Sequence, residues 1–123
     1  MDNTNIAPIE NEEFEHAKAA AEKAENLFTL KFKKPFSYDG VDYDELQFDF
    51  EGLTGNDSLE IEREMNRMGQ QLAVPAFSGD FITRMCARAC TVPIGRDAWK
   101  NLSMRDWHKL RAGARNFLFS SES

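Results

Sequence analysis

The segment from Leu30 to Met68 constrains the fold of this chain more than any other part of it. Apolar and polar residues alternate from Phe28 to Tyr38, which is typical of a half-buried strand. Asp39-Gly40 follows, and this pair favours a two-residue type I′ turn because both of its positions need a positive φ. The apolar residues between Val41 and Phe50 therefore predict the returning strand of an antiparallel hairpin.

The apolar residues of that second strand change phase between Tyr43 and Leu46. In an unbroken register, apolar residues of the first strand would face polar residues of the second. One extra residue in the second strand would restore a continuous apolar face. We therefore predict a β-bulge at Asp44-Glu45, with the pairs Phe32–Phe48, Leu30–Phe50 and, on the other face, Lys31–Asp49.

Capping signals predict three main helices after the hairpin. Thr54 and Asp57 have capping-box spacing at the start of a helix that reaches Met68, and Gly69 is a natural C-cap. Ser78 is expected to cap a second helix, and Ser103 a third. The predicted buried stripes are Ile61, Met65 and Met68; Phe81, Ile82, Met85, Cys86, Ala89 and Cys90; and Trp107, Leu110, Ala114, Phe117 and Leu118.

A length of 123 residues, 41% of them hydrophobic and ten of them Phe, predicts one domain with a modest core. We expect an α+β fold, an N-terminal two-stranded antiparallel hairpin followed by about three α-helices. A lone hairpin is marginal in water, so its Phe face must pack on the helices. Residues 27–119 would form this domain, residues 1–26 a mobile or helical N-terminal extension, and residues 120–123 a tail.

The charge of the chain is strongly asymmetric. The net charge is −6, but residues 1–66 carry 17 acidic and 6 basic side chains, and residues 67–123 carry 4 and 9. The two halves could attract each other, or the basic half could face an acidic partner.

No apolar run reaches the roughly 20 residues that span a bilayer, and no secretory signal is evident. A reduced cytosolic setting is expected, without membrane association.

Few residues suggest catalytic chemistry. Cys86 and Cys90 with His108 could in principle bind a metal or form a nucleophile pair, but a structural zinc needs four ligands and reactive thiols favour basic, exposed positions. Core packing is the favoured role of both thiols. The acidic residues of the hairpin are expected on its solvent face (Asp39, Asp42, Asp44, Glu45, Asp49 and Glu51). We predict no catalytic, cofactor or metal site.

The last predicted helix is basic and contains an aromatic residue, a combination that nucleic-acid-binding helices share. Its basic residues are Arg105, Lys109, Arg111 and Arg115, around Trp107. The other interpretation is an amphipathic helix with a basic solvent face. The acidic net charge favours this second interpretation, so a nucleic-acid-binding regulator is kept as the alternative function.

Residues 28–119 resemble a known family. The resemblance lies in Leu30, Lys34-Pro35-Phe36, Gly40, Tyr43 and Leu46, then in Leu53-Thr54-Gly55, Asp57 and Glu62-Arg63-Glu64. It continues in the helix containing MCARAC, the Val92-Pro93 break, and Asn116-Phe117-Leu118. These features are similar to those of the tail assembly chaperones of long-tailed bacteriophages, the group of Mu-like and P2-like small tail assembly proteins.

The resemblance implies a non-enzymatic role in the cytoplasm of the bacterial host, outside the mature virion. Such chaperones coat the tape measure protein and recruit tail tube subunits, and coating by repeated copies would involve self-association. A binder of long apolar helices needs an apolar groove with flexible or aromatic side chains. The candidate partner-binding residues are Met65, Met68, Met85, Trp99, Met104 and Trp107.

Overall fold

The computed structural model describes residues 26–71 and 74–120. Within these residues the fold is α+β, as predicted: a two-stranded antiparallel hairpin followed by three helices. The strands are β1 (Phe28–Tyr38) and β2 (Val41–Phe48), and the helices are α1 (Gly55–Arg67), α2 (Gly79–Ala89) and α3 (Met104–Ser120). Short 3₁₀ segments cover Phe50–Gly52, Pro75–Phe77 and Arg96–Asn101. Except for Asn26 and Ser120, the predicted extension and tail lie outside the described residues.

The hairpin turn has the conformation that its sequence predicts. Asp39 and Gly40 have φ values of 52° and 79°, as a type I′ turn requires. The predicted bounds of β1 are confirmed, but β2 ends two residues earlier than predicted. The cause is the side chain of Asp49, which accepts a hydrogen bond of 3.0 Å from the N–H of Gly52 and turns the chain into a 3₁₀ segment.

The register of the hairpin corrects our prediction. The break in pairing lies between Lys31 and Phe36, so the extra residues are in β1 and not at Asp44-Glu45 in β2. Proline has no N–H to donate to a strand ladder, which makes the stretch around Pro35 the natural place for the break. The observed pairs are Phe28–Phe48, Leu30–Leu46 and Lys31–Glu45 on one side of the break, and Phe36–Tyr43 and Tyr38–Val41 on the other.

The caps that bound the helices are those expected from the sequence. Thr54 and Asp57 form a complete capping box at the start of α1, and the side chain of Ser78 accepts the N–H of Phe81 at the start of α2. Beyond α1, the N–H of Gly69 donates to Asn66 and the N–H of Gln70 donates to Met65. These two bonds form a Schellman motif, which satisfies carbonyls that the end of a helix leaves without partners.

Phe48 is at the centre of the core. Its side chain is fully buried, and its ring lies 6.2, 6.0 and 5.6 Å from the rings of Phe28, Phe50 and Trp99. Backbone hydrogen bonds join the end of β2 to the end of α2, from Asp49 to Ala89 at 2.8 Å and from Thr91 to Gln47 at 2.9 Å. The apolar face of the hairpin therefore packs on the helices, as a hairpin of marginal stability requires.

One residue of the predicted core lies on the surface. Met68 is 62% exposed, whereas Ile61 and Met65 of the same predicted stripe are buried. Helix α1 ends at Arg67, so Met68 lies in the C-cap turn. The prediction that Met68 is buried assumed that the helix continues through this residue, which would have placed its side chain on the same face as Ile61 and Met65.

Candidate functional site

An open apolar cleft lies where α2, the Arg96–Asn101 segment and the start of α3 meet. Its volume is about 420 Å³. Trp99, Leu102, Met104 and Trp107 supply its apolar surface, and four polar side chains complete its lining (Asp80, Thr83, Arg96 and Lys100). We call this feature the tryptophan cleft. A concave apolar surface with a polar rim is the usual form of a site that binds the apolar face of a helix.

The two tryptophans and Met104 differ in their freedom to move. Trp99 is buried, and its indole N–H donates a hydrogen bond of 3.0 Å to the carbonyl of Thr83, which fixes the ring at the base of the cleft. Trp107 is half-buried, and Met104 is 74% exposed at the first turn of α3. A fixed aromatic base beside an unbranched, polarizable thioether can adapt to apolar side chains of different shapes.

The structure brings together three of the six predicted partner-binding residues. Trp99, Met104 and Trp107 line one cleft. Met65 and Met85 are 1% and 3% exposed and fill the core, and Met68 is exposed at the end of α1 without lining the cleft. The sequence alone could not distinguish the buried methionines from the exposed ones, because both occur at the same helical spacing.

A second exposed apolar patch was not predicted from the sequence. The rings of Phe77 and Phe119 lie 5.8 Å apart, with 62% and 45% of these residues exposed, and Val74 is also exposed. The guanidinium of Arg115 lies 5.5 Å from the centre of the Phe77 ring and donates a hydrogen bond to the carbonyl of Ala76. We call Val74, Phe77 and Phe119 the phenylalanine patch. It lies by the end of α3, whereas the tryptophan cleft lies by its start.

The basic residues of α3 do not share one face. Arg105 and Lys109 line a cavity with Lys33 and Lys34 of β1, whereas Arg115 is held against Phe77 and Ala76. The long basic stripe that the nucleic-acid interpretation assumed is therefore divided. The sequence alone could not show that lysines of the hairpin lie beside Arg105 and Lys109.

A network of ion pairs joins α1 to α2. The guanidinium of Arg88 lies 2.9, 3.2 and 3.1 Å from carboxylate oxygens of Asp57, Glu60 and Glu64. Arg84, which is buried, lies 3.4 Å from Glu64. The backbone N–H of Thr54 lowers the pKa of Asp57, and Arg88 adds to this effect against the opposing influence of burial. The network orients α1 and α2 relative to each other.

The two cysteines are free thiols within the fold. Cys86 is buried and Cys90 half-buried, and burial raises the pKa of both thiols. A raised pKa keeps a thiol protonated, which disfavours its use as a nucleophile. Among residues 26–71 and 74–120, no group of three or more His, Cys, Asp and Glu side chains is placed to hold a metal ion.

No protein-family model, curated protein sequence or solved structure matches this chain. In the part of the chain that the structure describes, no helix has both the length and the apolar character needed to cross a membrane.

Proposed function

We propose that this protein is a non-enzymatic tail assembly chaperone of a bacteriophage, and that it binds the tape measure protein. The observation that carries the proposal is the tryptophan cleft, an open apolar surface of the shape and chemistry that an apolar helix face would fill. The sequence resemblance of residues 28–119 to such chaperones supports the same role.

The cleft suits a long cargo better than a small molecule. A tape measure protein presents repeated apolar helix faces before the tail tube closes around it. Met104 stands exposed at the rim and Trp99 forms a rigid base, so successive helix turns with different side chains could bind in the same cleft. Asp80, Arg96 and Lys100 place both signs of charge at the rim, where they would pair with the polar edges of such a helix.

The phenylalanine patch offers a separate surface for a further contact. Two exposed aromatic rings in mutual contact are typical of an interaction site. We assign this patch to tail tube subunits or to neighbouring copies of the chaperone on the same cargo. This role places the protein in the cytoplasm of the bacterial host during assembly and outside the finished virion.

Co-expression tests this function. The cargo is the tape measure protein of the same phage. We expect the cargo to become soluble and to co-purify with the wild-type chain. Met104→Glu should abolish both effects, because it places a charge in the apolar cleft. Met68→Glu is the matched control, an exposed methionine outside the cleft, and should retain both effects. Cargo that stays insoluble with the wild-type chain would refute the function.

The alternative, a nucleic-acid-binding regulator, rests on Arg105 and Lys109 together with the lysines of β1. It requires that the wild-type chain bind duplex DNA with a steep dependence on salt.

A further inference from the structure

A basic groove runs between β1 and α3, along the edge of β1 that lies opposite β2. Two cavities, of about 420 and 470 Å³, lie along it and share Lys109 in their linings. The first extends along residues 32–36 of β1, and the second along residues 28–31. Consecutive strand residues point to opposite faces of a sheet, so a cavity lined by a continuous run lies along the strand edge.

In the part of the chain that the structure describes, this edge has no partner strand. Among residues 26–71 and 74–120, β1 pairs only with β2, and residues 32–35 have no paired residue in β2 either. The N–H and C=O groups of an open edge can form a ladder with an added strand. Pro35 has no N–H, so an added strand would pair with residues 28–34, which is about 20 Å of extended chain.

The rim of the groove is basic, and its cations are exposed. One carboxylate, that of Asp106, lies among five cationic side chains: Lys31, Lys33, Lys34, Arg105 and Lys109. Within the described ranges, only Arg84 and Arg88 form ion pairs with carboxylates, so the five rim cations are open to a ligand. A ligand that lies in this groove should therefore be acidic.

The floor of the groove favours a peptide over a nucleic acid. It is apolar, and is formed by Phe28, Leu30, Phe32 and Leu102. The side chains of an extended peptide alternate between two faces, so one row can contact this floor while acidic side chains of the other row contact the rim. Duplex DNA has a continuous charged backbone and no such apolar row, and the net charge of −6 repels it.

We propose that an extended acidic segment of a partner protein binds in the basic groove by adding a strand to the open edge of β1. Its main chain pairs with residues 28–34, its apolar side chains contact the floor, and its carboxylates pair with the basic rim. The proposal does not depend on the chaperone function, because the groove is a different surface from the tryptophan cleft and is tested with a different ligand.

Fluorescence anisotropy with a labelled eight-residue peptide of alternating valine and glutamate tests strand addition to the full chain. Alternate amides of an added strand face β1, and the others face solvent. Two further peptides carry N-methyl groups, one on the valine nitrogens and one on the glutamate nitrogens. One of them should bind at least about tenfold more weakly than the unmodified peptide, since it loses several hydrogen bonds to β1, and the other should bind nearly as tightly. Equal binding by the two, or no binding by the unmodified peptide, would overturn the proposal.

Charge reversal in the protein locates the site. Lys33→Glu/Lys109→Glu should weaken binding of the unmodified peptide at least about tenfold at low salt, because like charges would then face each other across the contact. Arg63→Glu/Arg67→Glu makes the same change in net charge at exposed positions of α1 and should weaken binding far less. Equal losses in the two variants would show that the peptide does not bind in the groove.

A 20-base-pair DNA duplex is the competing ligand. At low salt we expect the wild-type chain to bind it more weakly than the peptide, since the duplex cannot use the open edge or the apolar floor. A duplex that binds more tightly than the peptide, and that loses this binding in Lys33→Glu/Lys109→Glu, would assign the groove to nucleic acid and overturn the proposal.

Discussion

At the scale of single residues, Gly113 shows how a local preference is overruled by packing. A methyl group at this position would lie 2.6 Å from Cζ of Phe28, whose ring also contacts Phe48 and Phe50. In an open helix, Gly→Ala would stabilise the protein by about 1 kcal/mol. Here we expect Gly113→Ala to destabilise it by about 1–3 kcal/mol, because the Phe28 ring must move.

Urea unfolding checks this prediction. Gly79→Ala is the control, since no atom lies within 4 Å of a methyl group there, and it should not destabilise the protein. In a Phe28→Leu background, the penalty of Gly113→Ala should shrink. A Gly113→Ala chain as stable as the wild type would show that the ring does not constrain α3.

Asp57 should make stability depend on pH. Its pKa is lowered from the ordinary value of 3.8, first by the Thr54 N–H, then by Arg88. A lowered folded-state pKa stabilises the protein above the unfolded value, and this contribution is lost as pH falls through the folded value. Asp57→Asn should therefore cost about 1 kcal/mol at pH 7 and progressively less below pH 3.8. A difference that stays constant from pH 7 to pH 2 would contradict the assignment.

At the scale of elements, Arg88 joins α1 to α2 through three carboxylates. The Arg88 side chain is 27% exposed. The network should therefore contribute more to the free energy of unfolding than a surface ion pair does, and less than a buried one. We expect Arg88→Met to lower the free energy of unfolding by about 1–3 kcal/mol. Arg105→Met, at an exposed position, should change it by less than about 0.5 kcal/mol. Equal urea midpoints for the two variants would refute a stabilising network.

The elements differ in how far the sequence could predict them. Helix bounds followed from local caps at Thr54, Ser78 and Gly69, whose chemistry acts within a few residues. The register of the hairpin could not be predicted from local signals in this way, because any odd number of extra residues in either strand restores the same apolar face. The alternation of apolar residues therefore required a break in the strand pairing but did not show which strand holds it. Pro35 was the sequence signal that favoured β1, where the break is observed.

At the scale of the whole molecule, the candidate sites arise from segments far apart in the sequence. The tryptophan cleft joins Asp80 and Thr83 to residues 96–107, and the cavity that Lys33, Lys34, Arg105 and Lys109 line joins residues 32–36 to residues 101–109. The sequence identified Trp99, Met104 and Trp107 as candidates by residue type. It could not separate them from the buried Met65 and Met85, because that distinction depends on how the helices pack.

The most direct test of the proposed function is the affinity of the purified chain for an apolar helical segment of the tape measure protein, measured by calorimetry. The wild type and Met68→Glu should bind with the same affinity. Met104→Glu should bind at least about tenfold more weakly. A tenfold loss of affinity corresponds to about 1.4 kcal/mol of binding free energy, and burying a charge at the contact with the cargo costs more than that. Equal binding by all three proteins would show that the tryptophan cleft is not the cargo site, and no binding by the wild type would contradict the chaperone function itself.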